Sequence, residues 1–222
     1  MSDTVPHRLA MVIGTGTEVG KTWVAAGALG ALRAEGLSVA ARKPAQSFST
    51  DDATTDADVL ADASGENPTE VCLAHRWYET PLAPPMAADA LGRPPFTIAD
   101  LVDEVVWPVG CDIGIVEAAG GVRSPLASDA PGDAVTMIAA LGPDIVVIVA
   151  NAELGTINGI RLTFEALEPI LDRRDGMEVV VFLNQFNPDI DLHRRNLAWL
   201  RDHDRFTVVV EIDELVTLLR PA

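Results

Sequence analysis

Runs of consecutive apolar residues recur along the chain at 9–13, 38–41, 113–116, 145–149, 179–183 and 207–210. They lack the apolar–polar alternation of a strand with one wet face, so they predict strands of a parallel sheet covered on both faces. Helical spacing separates them. Val24, Ala28, Leu29 and Leu32 form one apolar stripe that stops before Gly36, a good C-cap residue. Thr97-Ile98-Ala99-Asp100 has the spacing of a capping box, with Asp in place of Glu or Gln, at the start of another helix. Further helices are predicted at 56–63, 133–141, 157–172, 189–202 and 214–220. Strands alternating with helices predict an α/β fold, a doubly wound and mainly parallel sheet flanked by helices, as one domain over 1–222. In such a fold, ligands bind beyond the carboxyl ends of the strands, so the residues after each strand are the candidates for chemistry. The proline-rich stretch from Pro81 to Met86 interrupts the longest interval without a strand, about 42–112, and reads as a surface crossover in preference to a substrate-covering loop.

Composition narrows the class. The chain has 222 residues, 48% of them hydrophobic, which is enough for one domain with a sizeable core. Acidic residues outnumber basic ones 33 to 16, for a formal charge of −17. That balance excludes an extended nucleic-acid-binding face or an anionic membrane surface but leaves room for a local basic pocket; a solvated surface is its plainest meaning. Cys72 and Cys111 stand alone and the four histidines fall in no metal-ligand pattern, so both cysteines read as reduced core residues. The N-terminal residues lack a signal-peptide layout and no apolar run approaches the roughly 20 residues of a membrane span, so a cytoplasmic protein is expected.

The first strand is followed by Gly14-Thr15-Gly16-Thr17-Glu18-Val19-Gly20-Lys21-Thr22 and then directly by a helical stripe. Backbone N–H groups of such a turn surround phosphate oxygens at a helix N-terminus, with Lys21 supplying charge and the Thr22 hydroxyl reaching a magnesium ion. Thr15 stands where the strict phosphate-loop spacing has its first glycine, and Gly14 lies one residue earlier. The second strand ends in Arg42-Lys43-Pro44-Ala45-Gln46-Ser47; Pro44 disfavours helix at Lys43, so the lysine can project into the crevice. A lone lysine after a strand is otherwise a solvated one. Asp51, Asp52, Asp56 and Asp58 follow as candidate metal carboxylates, or as a helix start that complements the macrodipole. The third strand ends in Glu117, a second metal-side carboxylate at the tip of an apolar strand, and Gly120-Gly121 then lets backbone approach a ligand closely. The fifth strand ends at Asn184, whose amide offers a donor and an acceptor to a nucleobase edge and is equally suited to a plain cap.

The segments GTGTEVGKT, KPAQS, TTDADVL, YETPLAPPMAA, VEAAGG and ELGTINGIRLT, in this order over residues 9 to 215, resemble the dethiobiotin synthetase family of P-loop NTPases. The resemblance implies a ligase of biotin biosynthesis that uses ATP, Mg2+ and carbon dioxide or bicarbonate to carboxylate 7,8-diaminononanoate and close its ureido ring. It implies nucleotide contacts from Glu18, Val19, Gly20, Lys21, Thr22, Trp23, Asp56, Glu117, Gly120 and Asn184, with Thr22, Asp56 and Glu117 around the metal. Lys43 and Lys21 would stabilise the charge that develops in the reaction. Thr17, Glu18 and Ser47 would face the diamine, and Leu154, Gly155 and Asn158 of the partner subunit in a homodimer would hold the substrate's carboxylate tail. Three positions depart from the family pattern: Ala118 replaces a glycine where close approach to the nucleotide is expected, Gly159 replaces a histidine, and Glu211-Ile212-Asp213-Glu214 replaces a Glu-Ile-Pro turn near the expected nucleobase pocket. These departures leave two alternatives, a paralogue acting on another amine and a nucleotide-binding member without catalysis. A partition-type nucleotide switch is a third, although such switches place an extra lysine early in the loop and residues 11–20 contain none.

Overall fold

A computed structural model describes residues 5–173 and 176–221; residues 1–4, 174–175 and 222 of the expected domain span lie outside them. Six strands form one sheet: β1 (Arg8–Gly14), β2 (Val39–Arg42), β5 (Ile113–Glu117), β6 (Ile145–Asn151), β7 (Glu178–Asn184) and β8 (Thr207–Val209). Their order is β2-β5-β1-β6-β7-β8, and every pairing is parallel. Each of the six apolar runs is a strand, within one or two residues at either end.

Alternation inside the strands explains why they read as continuous apolar runs. Leu9, Met11 and Ile13 of β1 enter one core layer with Val146, Ile148 and Ala150 of β6, while Ala10 and Val12 enter the other with Ile145, Val147 and Val149. The second layer is closed by α1 (Lys21–Ala34), α2 (Asp56–Ser64) and α9 (Ile212–Leu219), and the first by α5 (Ile98–Asp103), α6 (Ala134–Leu141), α7 (Thr156–Leu171) and α8 (Asp191–Asp202). The capping box at Thr97 is formed: its hydroxyl accepts from the Asp100 N–H, and the Asp100 carboxylate accepts from the Thr97 N–H at 2.7 Å.

The interval between β2 and β5 is more structured than its sequence predicts. A two-residue strand β3 (Gln46–Ser47) pairs with β4 (Trp77–Tyr78), and α3 (Pro68–Val71) and a 3-10 turn at Ala74–Arg76 lie between them. The proline stretch opens α4 (Pro84–Ala90), where Pro84 and Pro85 take the first helical positions, at which a missing N–H costs nothing. The stretch is thus a connection with a helix of its own, and Leu82 and Met86 on it are exposed.

Candidate active site

β1 ends at Gly14, and the loop that follows turns into α1 through Gly20 in the left-handed region, at φ 92°. A Cβ at Gly20 would lie 2.0 Å from the Asn184 amide nitrogen, so both the turn and the packing require glycine there. That amide, at the end of β7, donates to the Val19 carbonyl at 3.0 Å and ties the loop to the sheet. One donor expected for a nucleobase edge is therefore spent on the loop itself. Lys21 is buried and folds back to donate to the Gly16 carbonyl at 3.0 Å. Burial, reinforced by the nearby Lys43 charge, lowers its pKa. Glu18 and Thr17 are exposed on the outer turn of the loop, Val19 is buried, and Trp23 is exposed one residue into the helix from Thr22.

Two strand ends and two helix starts converge beside this loop. The Lys43 ammonium, 2% exposed, lies 2.6 Å from Asp56 Oδ2 and 2.6 Å from Glu117 Oε1. The Thr22 hydroxyl lies 2.8 Å from Asp56 Oδ1 and 2.9 Å from Glu117 Oε1. A hydroxyl has one proton, so it can donate to only one of these carboxylates at a time. Burial lowers the Lys43 pKa, but its two carboxylate partners outweigh burial and hold it charged, above the ordinary lysine range. Burial raises the Glu117 pKa against the pull of Lys43. Asp56 is held below the usual range, because Lys43 and the Thr22 hydroxyl together exceed the opposing effect of burial.

Glu117 Oε2 is buried without a hydrogen-bond partner. An orphaned carboxylate oxygen beside a second carboxylate and a hydroxyl is the donor set of a hard divalent cation, so these residues fit Mg2+. Only Asp56 of the four early aspartates joins this group: Asp58 closes the α2 capping box with Thr55, and Asp52 accepts from the Ser49 N–H. Gly120, at φ 67°, turns the chain after β5 so that Gly121 comes against Gly16 of the loop. Ser47 is half-buried in β3.

Not every candidate residue joins this cluster. Leu154, Gly155 and Asn158 lie after β6 and are exposed, and among the described residues no hydrogen bond joins them to Lys43, Asp56 or Glu117. The three departures from the family pattern also find their places. Ala118 is buried in the core, where its methyl packs among apolar neighbours, and its N–H donates to the Val12 carbonyl. Gly159 faces Thr15, and the two line a cleft of about 800 Å³ between the phosphate loop, Gly121–Ser124 and α7. Glu214 accepts from the Glu211 N–H at 3.3 Å, closing the α9 capping box, and from the Val210 N–H at 2.8 Å. Two features that the sequence reading missed border this region: Arg123, paired with the buried Asp133 at 2.8 Å, and the α8 residues His193 and Asn196, which reach back to the turn after β6.

The chain is similar to known proteins in sequence and in fold. A family profile described as an AAA domain matches residues 8–222. The ATP-dependent dethiobiotin synthetase of Caulobacter vibrioides is 38% identical over 186 residues, covering 81% of this chain and 82% of that protein. Those of Anaeromyxobacter sp. (strain K) and Haloferax mediterranei are 40% and 36% identical, covering 81% and 86% of this chain and 78% of each relative. Among solved structures, a plasmid partition protein from Borrelia burgdorferi superposes with a TM-score of 0.53 at 12% identity, covering 97% of both chains. The signal recognition particle receptor FtsY of Elizabethkingia anophelis gives 0.50 at 16% identity, covering 96% of this chain and 62% of that one. At such identities, these two likenesses speak for the fold alone.

Proposed function

The chain belongs to the dethiobiotin synthetase family and is an ATP-dependent ligase of biotin biosynthesis; from that premise we propose how its own residues carry the reaction. The observation that carries the proposal is the triad of buried Lys43, buried Glu117 and half-buried Asp56 around the Thr22 hydroxyl, next to a phosphate loop. One amine of 7,8-diaminononanoate adds to carbon dioxide and loses a proton, giving a carbamate. A carbamate oxygen then attacks the γ-phosphorus of ATP and releases ADP. The second amine attacks the carbonyl carbon of the resulting mixed anhydride, phosphate leaves, and the ureido ring closes.

In this scheme, the loop N–H groups and Lys21 hold the nucleotide phosphates, and Lys43 faces the carbamate and the transferring phosphoryl group. A permanently charged lysine, held in place by two carboxylates, stabilises the developing negative charge with little reorganisation. Thr22, Asp56 and Glu117 would hold Mg2+, which neutralises phosphate charge when bound. Thr17, Glu18 and Ser47 face the diamine. The turn after β6, from Leu154 to Asn158, takes the substrate's carboxylate in a homodimer: α7 starts at an uncapped Gly155, and the Thr156 hydroxyl beside it is buried without a partner. Asn184 and Gly120 border the nucleotide. The whole chain acts as a single domain.

A partition-type switch shares the fold but accords less well with relatives 36–40% identical that are synthetases. Mass spectrometry of protein incubated with the diamine, bicarbonate, Mg2+ and each nucleoside triphosphate tests the reading. Dethiobiotin is expected with the wild-type chain and not with Lys43→Ala. Absence of product with every nucleotide would refute the reaction, and unchanged product from the variant would remove Lys43 from it.

A further inference from the structure

We propose that Asn196 and His193 of α8 are positioning residues that shape the start of α7 into a carboxylate site, an inference that rests on the synthetase reading above. The chain leaves β6 at Asn151 and turns through Ala152–Gly155 into α7, with Gly155 at φ 96° and no side-chain cap. The Asn196 amide nitrogen donates to the Ala152 carbonyl at 2.9 Å and to the Glu153 carbonyl at 3.3 Å. In a trans peptide, the N–H points opposite to the C=O. Drawing these two carbonyls inward therefore turns the N–H groups of Glu153 and Leu154 outward. Among the described residues, neither N–H donates a hydrogen bond within the chain, and Leu154 is 87% exposed. Two outward N–H groups followed by an uncapped helix start form a concave anion site.

Glu153 is the one group that would spoil it, because its carboxylate sits at the same helix start. His193, 2% exposed, answers this. Its Nδ1 accepts from the Asn187 N–H at 3.0 Å, so in the neutral ring the proton is on Nε2. Nε2 has no hydrogen-bond partner and lies 3.5 Å from Glu153 Oε1. The ring thus turns a buried, unpaired N–H toward the Glu153 carboxylate from the α8 side, which favours that carboxylate there over the positive end of α7, where an incoming anion would bind. In the proposed reaction, that anion is the tail of the diamine, which never reaches the reacting atoms. Asn196 and His193 consequently affect binding of the acid and not the chemistry.

The test compares 7,8-diaminononanoate with its carboxamide on full-length protein, by calorimetric binding and by steady-state product formation. The wild-type chain should prefer the acid about tenfold or more, the value of a lost charge-assisted hydrogen bond. Asn196→Ala should cut that preference at least fivefold by raising KM for the acid, with kcat and KM for ATP unchanged. His193→Leu, similar in volume and without ring nitrogens, is the second variant and should act in the same direction. A general loss of folding would weaken acid and amide alike. An undiminished acid preference in both variants overturns the inference and leaves the synthetase reading standing. Equal binding of acid and amide by the wild-type chain also overturns it. Absence of both binding and product in the wild-type chain removes the synthetase reading, and this inference with it.

Discussion

Lys43 concentrates the electrostatics of the site into one side chain, since the same ammonium holds one oxygen of Asp56 and one of Glu117 at 2.6 Å. Replacing it with methionine leaves two carboxylates without their countercharge, and breaking a buried pair in this way costs about 3–5 kcal/mol. The sign of the pH dependence follows from the pKa values of the carboxyls. Without the ammonium, the Glu117 value, already raised by burial, rises further and Asp56 loses the main cause of its depression, so the variant loses stability as pH rises above the ordinary carboxyl range. Urea unfolding should therefore give a gap between wild type and Lys43→Met that is largest at pH 8 and shrinks toward pH 5; a gap independent of pH would mean that the pair is not ionised. The same substitution removes a positive charge from beside the proposed metal ligands. Mn2+ binding without nucleotide, followed by electron paramagnetic resonance, should tighten about tenfold. Sequence alone singles out Lys21, Thr22, Lys43, Asp56 and Glu117 as candidates, because each sits at a strand end or a helix start where such a fold delivers ligands. Asn196 and His193 are hidden, since their partners lie some 40 residues away and only packing of α8 on the turn after β6 unites them. Asn184 is legible as a candidate at a strand end, but its tie to the loop at Val19 is not.

Elements differ in how strictly their ends specify a residue. Gly20 combines a left-handed φ with a 2.0 Å clash awaiting any Cβ, whereas a Cβ at Gly159 would meet Thr15 at an ordinary 3.4 Å. Gly20→Ala should cost at least about 1–2 kcal/mol and abolish nucleotide binding. Gly159→Ala should stay within roughly 1 kcal/mol of wild type and bind nucleotide normally. Fluorescent-nucleotide titration with thermal melting separates the two. Asp133 is a third such end: its carboxylate caps α6 through the Thr136 N–H at 3.0 Å and pairs with Arg123. Burial pushes its pKa up, but Arg123 and the Thr136 groups outweigh burial and hold it down, so its stabilisation is present above the ordinary aspartate range and lost as pH falls through it. Asp133→Ala should cost about 1–2 kcal/mol at pH 7, and melting curves of variant and wild type should converge toward pH 3. The long strands and helices are legible because they repeat a period over two or more turns. α3, α4, β3 and β4 span two to seven residues each, too few for a period to register, and α4 starts at the proline stretch itself.

At the scale of the molecule, the doubly wound plan is legible because two buried sheet faces leave a continuous apolar signature in every strand. The proposed homodimer is not, because an interface adds only scattered surface residues to the pattern. Leu154 and Leu162 are large apolar side chains, 87% and 57% exposed, on the turn after β6 and on α7, and Leu162 also lines the cleft beside the phosphate loop. Placing charge there with Leu162→Asp should give a monomer by sedimentation, with KM for the diamine raised, since the carboxylate site then has no neighbouring subunit to serve. Net charge supplies an independent check on what holds such a dimer together. Two chains of −17 repel each other, and the screening length falls from about 30 Å at 10 mM salt to about 10 Å at 100 mM. If apolar contact drives the association, added salt removes repulsion and leaves the attraction intact, so the dimer dissociation constant should fall several-fold over that range. Weaker association in salt would instead mean that ion pairs hold the subunits, and Leu162→Asp would then have little effect.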